Sequence, residues 1–198
     1  MEKKSLEQIA RVKINDVACE PKISPILHKI KTYEPTLFIH STNVAFIATQ
    51  VGMQRGFFGE RLKDLTRGAL LHDCGKTFIS VDLLTKPNYL TEREYDLLKE
   101  HPKMGYEFLL DKGFSETVLD IVKHHHERMD GSGYPDGLMG NQIIEETQIV
   151  MAIDAWDAMT SERPYKKPME GEYVYDFLIN SEIYSRNVLR LLRMCTDA

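Results

Sequence analysis

The stretch LKDLTRGALLHD, residues 62–73, is amphipathic at helical spacing and ends in two polar residues. Apolar residues recur three or four positions apart from Leu62 to Ala69, which predicts a helix over about 60–72. His72 continues the apolar face of that helix. Because burying an imidazole without a partner is costly, a histidine at this position needs a hydrogen-bond partner or a metal ion.

The rest of the chain shows the same helical periodicity. Thr91 and Glu94 have the spacing of a capping box, and Ser115 is a candidate helix cap. No run of alternating apolar and polar residues is bounded by hairpin signals, so no strand is expected. The fold class is therefore predicted to be all-α. The further helices are predicted over about residues 5–17, 36–54, 92–99, 101–111, 116–126, 142–160 and 171–194.

The composition restricts the class of protein. The chain has 198 residues, of which 42% are hydrophobic, enough for a globular core without disulfides. It contains no apolar run of 18 residues, and mixed charge follows its first residues, so neither a membrane span nor a signal peptide is expected. The net charge of −5 argues against DNA or RNA as a partner. Cys19, Cys74 and Cys195 are far apart in sequence, which favours a reducing cytoplasm.

Several polar residues occupy positions on apolar helical faces. One such histidine alone would be a hydrogen-bonded core residue. Several on different helices indicate that the inner faces share a polar centre. Five histidines and two aspartates suit divalent transition metals such as iron, manganese, zinc or nickel, and seven ligands fit two ions bridged by one carboxylate. The residues are His40, His72, Asp73, His101, His125, His126 and Asp154.

These residues carry a resemblance to a known family. Residues 72–76, HDCGK, resemble the HD[IL]GK signature of the HD phosphohydrolase superfamily. Residues 125–135, HHERMDGSGYP, resemble the HHExxDGxGYP signature of its HD-GYP subfamily. Residues 154–165, DAWDAMTSERPY, match the closing motif of that subfamily. His101 and His40 match its middle and first histidines.

The resemblance covers about residues 34–168 and implies a helical bundle around a buried binuclear metal centre. It leaves residues 1–33 as an N-terminal lead-in and residues 169–198 as an atypical C-terminal helical segment. The implied activity is hydrolysis of cyclic di-GMP, or a related cyclic dinucleotide, to the linear dinucleotide and/or GMP through a metal-bridging hydroxide. The implied cofactors are two divalent transition-metal ions, with iron or manganese favoured and zinc or nickel as alternatives.

The resemblance also assigns roles by position. All seven residues of the polar set match metal ligands, and Asp73 matches the bridging carboxylate. Asp73 and Lys76 are the catalytic residues that it implies. Lys76 also matches a lysine near the scissile phosphate, and with it the substrate-binding residues are Tyr134, Arg163 and Lys166. Thr36 replaces the glutamate that accompanies a third metal in some members, so two metals are expected.

Several alternatives remain open at this stage. The domain could be an HD-type phosphohydrolase of another nucleotide, a non-catalytic domain that binds a cyclic dinucleotide, or a structural helical module with buried histidines. Asp157 could transfer a proton to the leaving group or orient a ligand histidine. Lys76 could point to water instead of to a phosphate. No sensor or receiver domain is recognised in the sequence, so the regulatory input is expected to be either missing or supplied by another chain. A separate sensor protein and a homodimer are the two partners considered.

Overall fold

The computed structural model describes residues 3–162 and 167–196. Within those ranges it contains α-helices, short 3-10 turns and no β-strand, which confirms the predicted all-α class. The helices are α1 (Lys3–Ala18), α2 (Ser24–Tyr33), α3 (Pro35–Gln54), α4 (Gly59–Leu71), α5 (Val81–Leu84), α6 (Glu92–Lys99), α7 (His101–Leu109), α8 (Glu116–His124), α9 (Glu145–Thr160), α10 (Gly171–Ser181) and α11 (Arg186–Cys195). The 3-10 turns are Cys74–Phe78, Leu110–Lys112 and Gly140–Gln142.

Helix α3 is the central element of the bundle, because α1, α2, α4, α9 and α11 all pack against it. Its residues Val44 and Val51 are fully buried, as are Leu65 of α4 and Ile149 of α9. Apolar burial on this scale is the main stabilising contribution to such a bundle. The bundle therefore fixes the helix faces on which the predicted ligands lie.

Local capping follows the predictions from sequence. The Thr91 side chain accepts from the backbone N–H of Glu94, whose carboxylate accepts from the backbone N–H of Thr91. Ser115 accepts from the backbone N–H of Val118 at the start of α8. Both caps satisfy backbone donors that a helix start leaves free.

The structure adds helices α2 and α5 to the predicted set and divides one predicted helix into two. Helix α2 is not among the helices predicted above, and its sequence includes Pro25. Pro25 lies in the first turn of α2, where proline is tolerated, and Ile26 and Ile30 of this helix are buried. The single helix predicted over 171–194 is two helices, because Glu182 adopts a left-handed backbone conformation (φ 59°) after α10.

The terminal segments share the hydrophobic core of the central bundle. Leu6 and Ile30 before residue 34, and Val174 and Leu189 after residue 168, all belong to one buried cluster. The division into lead-in, HD-GYP domain and C-terminal segment stays a prediction. Among the described residues, no helix is both long and apolar enough to cross a bilayer.

Candidate metal centre

The turn after α4 places two predicted ligands side by side. His72 follows the last residue of the helix, Asp73 comes next, and both are fully buried. Gly75 then packs against the start of α7, where an added Cβ atom would lie 1.9 Å from the carbonyl oxygen of His101. Only glycine permits this approach, and it brings the Nε2 atom of His101 to 3.1 Å from Oδ1 of Asp73.

Three of the histidines are oriented by the same local contact. In His72, His101 and His125, the Nδ1 atom lies within hydrogen-bond distance of the carbonyl oxygen three residues earlier. The partners are Ala69 at 2.8 Å, Leu98 at 2.7 Å and Val122 at 3.0 Å, respectively. Since a carbonyl only accepts, Nδ1 carries the proton in each ring. The Nε2 lone pair is thereby directed inward, as in metal-binding histidines.

Asp73 stands at the centre of the site. Its Oδ1 atom faces Nε2 of His101 and, at 3.6 Å, Nε2 of His125. Its Oδ2 atom faces Nε2 of His72 at 3.4 Å and Nε2 of His40 at 3.7 Å. The two carboxylate oxygens therefore face two different groups of imidazoles, which is the arrangement that a bridging carboxylate requires.

The candidate ligand atoms form two groups that share Asp73. Within each group all ligand atoms lie within 4.8 Å of one another. Asp154 joins both groups, because one oxygen lies 2.9 Å from Nε2 of His40 and the other lies 3.9 Å from Nδ1 of His126. The structure thus brings all seven predicted ligands together, although their role as ligands stays a proposal. The groups are His40, His72 and Asp73, and Asp73, His101, His125 and His126.

Buried acceptor atoms at this centre lack hydrogen-bond partners, which suits the binding of cations. Nε2 of His72 and Oδ1 of Asp73 are buried without a hydrogen-bond partner. The Nε2 atoms of His101 and His125 lie 3.2 Å apart. With Nδ1 protonated in both rings, these two atoms present lone pairs to each other. Buried acceptors in this arrangement are stabilised by a cation placed between them.

The protonation states also suit metal binding. Burial, with the nearby Lys76 ammonium, lowers the pKa of His101 to about 4, and burial lowers the pKa of His125 and His126. These imidazoles are therefore neutral, which is the form that binds a metal. Although burial alone would raise the pKa of Asp73, the Lys76 ammonium and the imidazoles hold it well below its usual range.

His40 lies between the carboxylates of Asp154 and Asp157. Burial would lower its pKa, but the Asp154 and Asp157 carboxylates raise the pKa to about 9. Oδ2 of Asp157 lies 2.6 Å from Nδ1 of His40, and Oδ1 accepts from the Ser161 hydroxyl at 2.7 Å. This geometry favours the second of the two roles considered for Asp157, orientation of a ligand histidine.

A cavity of about 380 Å³ connects the centre to the surface. Lys76 lines it, with its Nζ atom 2.7 Å from Oδ2 of Asp73 and with 19% of its side chain exposed. Its ammonium therefore lies where the cavity meets the candidate bridging carboxylate. His40, Asp73 and Asp157 also line this cavity, together with the apolar residues Leu37, Ile39, Leu83, Leu84, Leu90 and Leu98.

The Gly-Tyr-Pro loop folds back onto the histidine pair. A Cβ atom at Gly133 would lie 2.3 Å from the Cα atom of Glu127, so only glycine fits there. The backbone N–H of Tyr134 donates to the carbonyl of His126 at 3.1 Å, and the two rings stack with centroids 4.9 Å apart. Tyr134 is half-buried and does not line the cavity described above.

Glu127 supports the site, although it is not among the site residues predicted from the sequence. Its buried carboxylate accepts from the backbone N–H groups of Asp136, Gly137 and Leu138, at 2.7, 3.1 and 3.0 Å. A charged residue directly after two histidines and before a glycine-rich loop was the available signal. Arg163 and Lys166, the other predicted substrate-binding residues, lie outside the described residues.

Curated relatives of the chain are named as phosphodiesterases of cyclic dinucleotides. The chain is 37% identical to "Cyclic di-GMP phosphodiesterase response regulator RpfG" of Xanthomonas campestris pv. campestris, over 96% of this chain and 52% of that protein. It is 31% identical to "3'3'-cGAMP-specific phosphodiesterase 3" of Vibrio cholerae, over 81% of this chain and 35% of that protein. The chain thus spans about half or less of the length of these two relatives.

Solved structures share the fold. Bd1817, named as a HDG"Y"P protein from Bdellovibrio bacteriovorus, superposes with a TM-score of 0.71 at 20% identity, covering 100% of this chain and 65% of that one. The HD domain of the L. monocytogenes phosphodiesterase PgpH, in complex with cyclic di-AMP, superposes with a TM-score of 0.65 at 18% identity. That alignment covers 86% of this chain and 92% of the PgpH chain. These comparisons confirm the resemblance found in the sequence. The HD domain model matches residues 26–180, and the chain therefore belongs to the HD domain family.

Proposed function

We propose that this chain is a metal-dependent phosphodiesterase that hydrolyses a cyclic dinucleotide, foremost cyclic di-GMP, to the linear dinucleotide and/or GMP. The observation that carries the proposal is the position of Asp73. Its two oxygens face two groups of buried imidazoles at the inner end of an open cavity. The names of the relatives, which include cyclic di-GMP and cGAMP phosphodiesterases, support the same substrate class.

Two divalent ions fit the two groups of ligands. His40 and His72 would hold one ion, His101, His125 and His126 would hold the other, and Asp73 would bridge them with Asp154 alongside. Mixed imidazole and carboxylate ligands favour iron or manganese, with zinc or nickel as alternatives. Burial, with the neighbouring Asp73 carboxylate, raises the pKa of the Cys74 thiol to about 12, so thiolate ligation is not expected.

The protein groups around the centre have separate tasks. When bound, a pair of divalent ions neutralises phosphate oxygens and makes a water molecule nucleophilic near neutral pH. The Lys76 ammonium, at the cavity end of Asp73, is placed to stabilise negative charge that develops on a non-bridging phosphate oxygen. Asp157 holds the His40 ring in one orientation through Nδ1.

The remaining predictions about substrate and partners also belong to this proposal. Tyr134 borders the site through its stacking on His126, which supports a role in holding the substrate. Arg163 and Lys166 stay predicted contacts for phosphate or guanine, since they would supply positive charge on an acidic protein. A homodimer and a separate sensor protein stay predicted partners. A cytoplasmic location stays a prediction from the three free cysteines.

A panel of nucleotides tests the proposed function. The protein, purified without oxygen, is incubated with cyclic di-GMP, cyclic di-AMP, 3'3'-cGAMP and a set of linear nucleotides, and the products are separated by chromatography. We expect linear dinucleotide or GMP from cyclic di-GMP, and loss of this turnover in Asp73→Asn. Asp111→Asn, at an exposed aspartate, is the matched control and should keep full activity. Hydrolysis of linear nucleotides alone would contradict the proposed substrate class.

A further inference from the structure

Glu34 places a carboxylate on the wall of the cavity that reaches the candidate metal centre. Its Oε2 atom accepts from the backbone N–H of Leu37 at 2.8 Å and from the hydroxyl of Thr36. Its Oε1 atom has no hydrogen-bond partner among residues 3–162 and 167–196. The carboxylate is therefore held in place by one oxygen and keeps acceptor capacity on the other.

The separation of Glu34 from His40 along α3 is similar to the length of a nucleotide. It caps α3 six residues before His40, which corresponds to about 9 Å along the helix axis. That separation is similar to the reach of a nucleotide from its phosphate to the outer edge of its base. Leu83, Leu84 and Leu90 line the same cavity and offer an apolar wall for the flat face of a base.

The other charged groups of the cavity are occupied or differently placed. Asp73 and Asp157 contact the histidines of the metal centre. The Lys86 ammonium contacts both carboxylate oxygens of Glu94 at 2.7 Å. Glu162, the remaining cavity-lining carboxylate, is exposed. Glu34 is thus the carboxylate in this cavity that is anchored through the backbone and that does not contact the metal centre.

A fixed carboxylate distinguishes between the two purines. The Watson–Crick edge of guanine presents two adjacent donors, N1–H and the N2 amino group, whereas adenine presents the acceptor N1 beside one donor. A carboxylate only accepts hydrogen bonds, so it attracts the guanine edge and repels the adenine N1 lone pair. We propose that Glu34 binds the Watson–Crick edge of a guanine and makes this site selective for guanine over adenine. This inference rests on the proposed hydrolysis of cyclic dinucleotides.

The test compares kcat/KM for cyclic di-GMP with kcat/KM for cyclic di-AMP in the wild type and in Glu34→Gln. Glutamine keeps an oxygen that can accept from Leu37, so the helix cap is retained. We expect the preference for cyclic di-GMP to fall about 10-fold, the lower part of the range for loss of a bidentate base contact, because only Oε1 is free to accept from the base. The change should lie mainly in KM, and the metal content should equal that of the wild type. Glu162→Gln, the matched control, should keep the wild-type preference.

Three results would overturn the inference. An equal loss for both dinucleotides would mean that Glu34 acts only as a helix cap. A loss of bound metal in Glu34→Gln would mean that the carboxylate is a ligand. An unchanged preference in Glu34→Gln would mean that another group reads the base. In each of these cases the wild type still hydrolyses a cyclic dinucleotide, whereas a wild type that hydrolyses none would refute the proposed function itself and this inference with it.

Discussion

Replacement of Gly75 by alanine is expected to move His101 away from Asp73 in the candidate metal centre. The added Cβ atom would lie 1.9 Å from the carbonyl oxygen of His101 and 2.6 Å from the backbone nitrogen of Gly105. Contacts of Cβ atoms shorter than 3.0 Å are essentially never found in proteins, so the start of α7 has to move away by about 1 Å. Backbone atoms of a helix cannot move one at a time, and α7 has to shift as a unit.

This shift carries His101 away from Asp73. Its Nε2 atom lies 3.1 Å from Oδ1 of that residue, and metal–ligand distances tolerate changes of only about 0.2 Å. We therefore expect Gly75→Ala to lose metal at the group formed with His125 and His126. Overpacking against backbone is expected to cost about 3 kcal/mol of unfolding free energy, the upper end of the usual range. For a chain of this length, that lowers Tm by roughly 6–12 °C.

The assay measures metal per chain by elemental analysis, together with Tm and helical content by circular dichroism. The matched control is Gly52→Ala, where the added Cβ atom meets the Cδ2 atom of Leu65 at 2.7 Å and the Cδ1 atom of Leu62 at 3.0 Å. Those atoms end flexible side chains, so this variant should lose some stability and keep its metal. A Gly75→Ala protein with the wild-type Tm and the full metal content would refute the reasoning.

Three further variants test the supports around the centre. Asp157→Asn removes the anionic partner of His40 Nδ1 and should weaken metal affinity about 10- to 100-fold in a chelator competition. It should also lower Tm of the metal-free protein, because the buried His40 imidazolium loses one of the two carboxylates that raise its pKa. Glu127→Gln leaves backbone donors of the Gly-Tyr-Pro loop with fewer acceptors and should lower the free energy of unfolding in urea by about 3 kcal/mol. Lys76→Met should lower kcat about 100- to 1000-fold while metal per chain, measured on the same sample, stays at the wild-type value. Equal losses of metal and kcat would instead assign this lysine to positioning the Asp73 carboxylate.

The fold was largely predictable because the local signals agree with one another. The capping box at Thr91 and the cap at Ser115 marked the starts of α6 and α8. The errors came from residues whose effect depends on position within an element. Pro25 is compatible with the first turn of a helix, and Glu182 adopts a left-handed conformation that glycine or asparagine would have signalled.

The candidate metal ligands were predictable because they are polar residues on apolar helical faces. His40 and Asp154 stand out because burial of such groups needs a partner. The supporting contacts could not be predicted in the same way. Glu127 binds backbone groups nine to eleven residues later, and that pairing depends on the path of the loop. Glu34 could not be recognised from the sequence, because its position before α3 is that of an ordinary helix cap. Only the structure shows that its side chain lines the cavity.

The most direct test of the central claim is the number of metal ions per chain in wild-type protein and in Asp73→Ala, both purified without oxygen. Because the two oxygens of Asp73 face both groups of imidazoles, the account predicts about two ions in the wild type. It also predicts that the variant loses both ions. The variant should lose hydrolysis of cyclic di-GMP as well, measured on the same samples. A wild type that binds no metal, or an Asp73→Ala protein that keeps two ions and full turnover, would contradict the account.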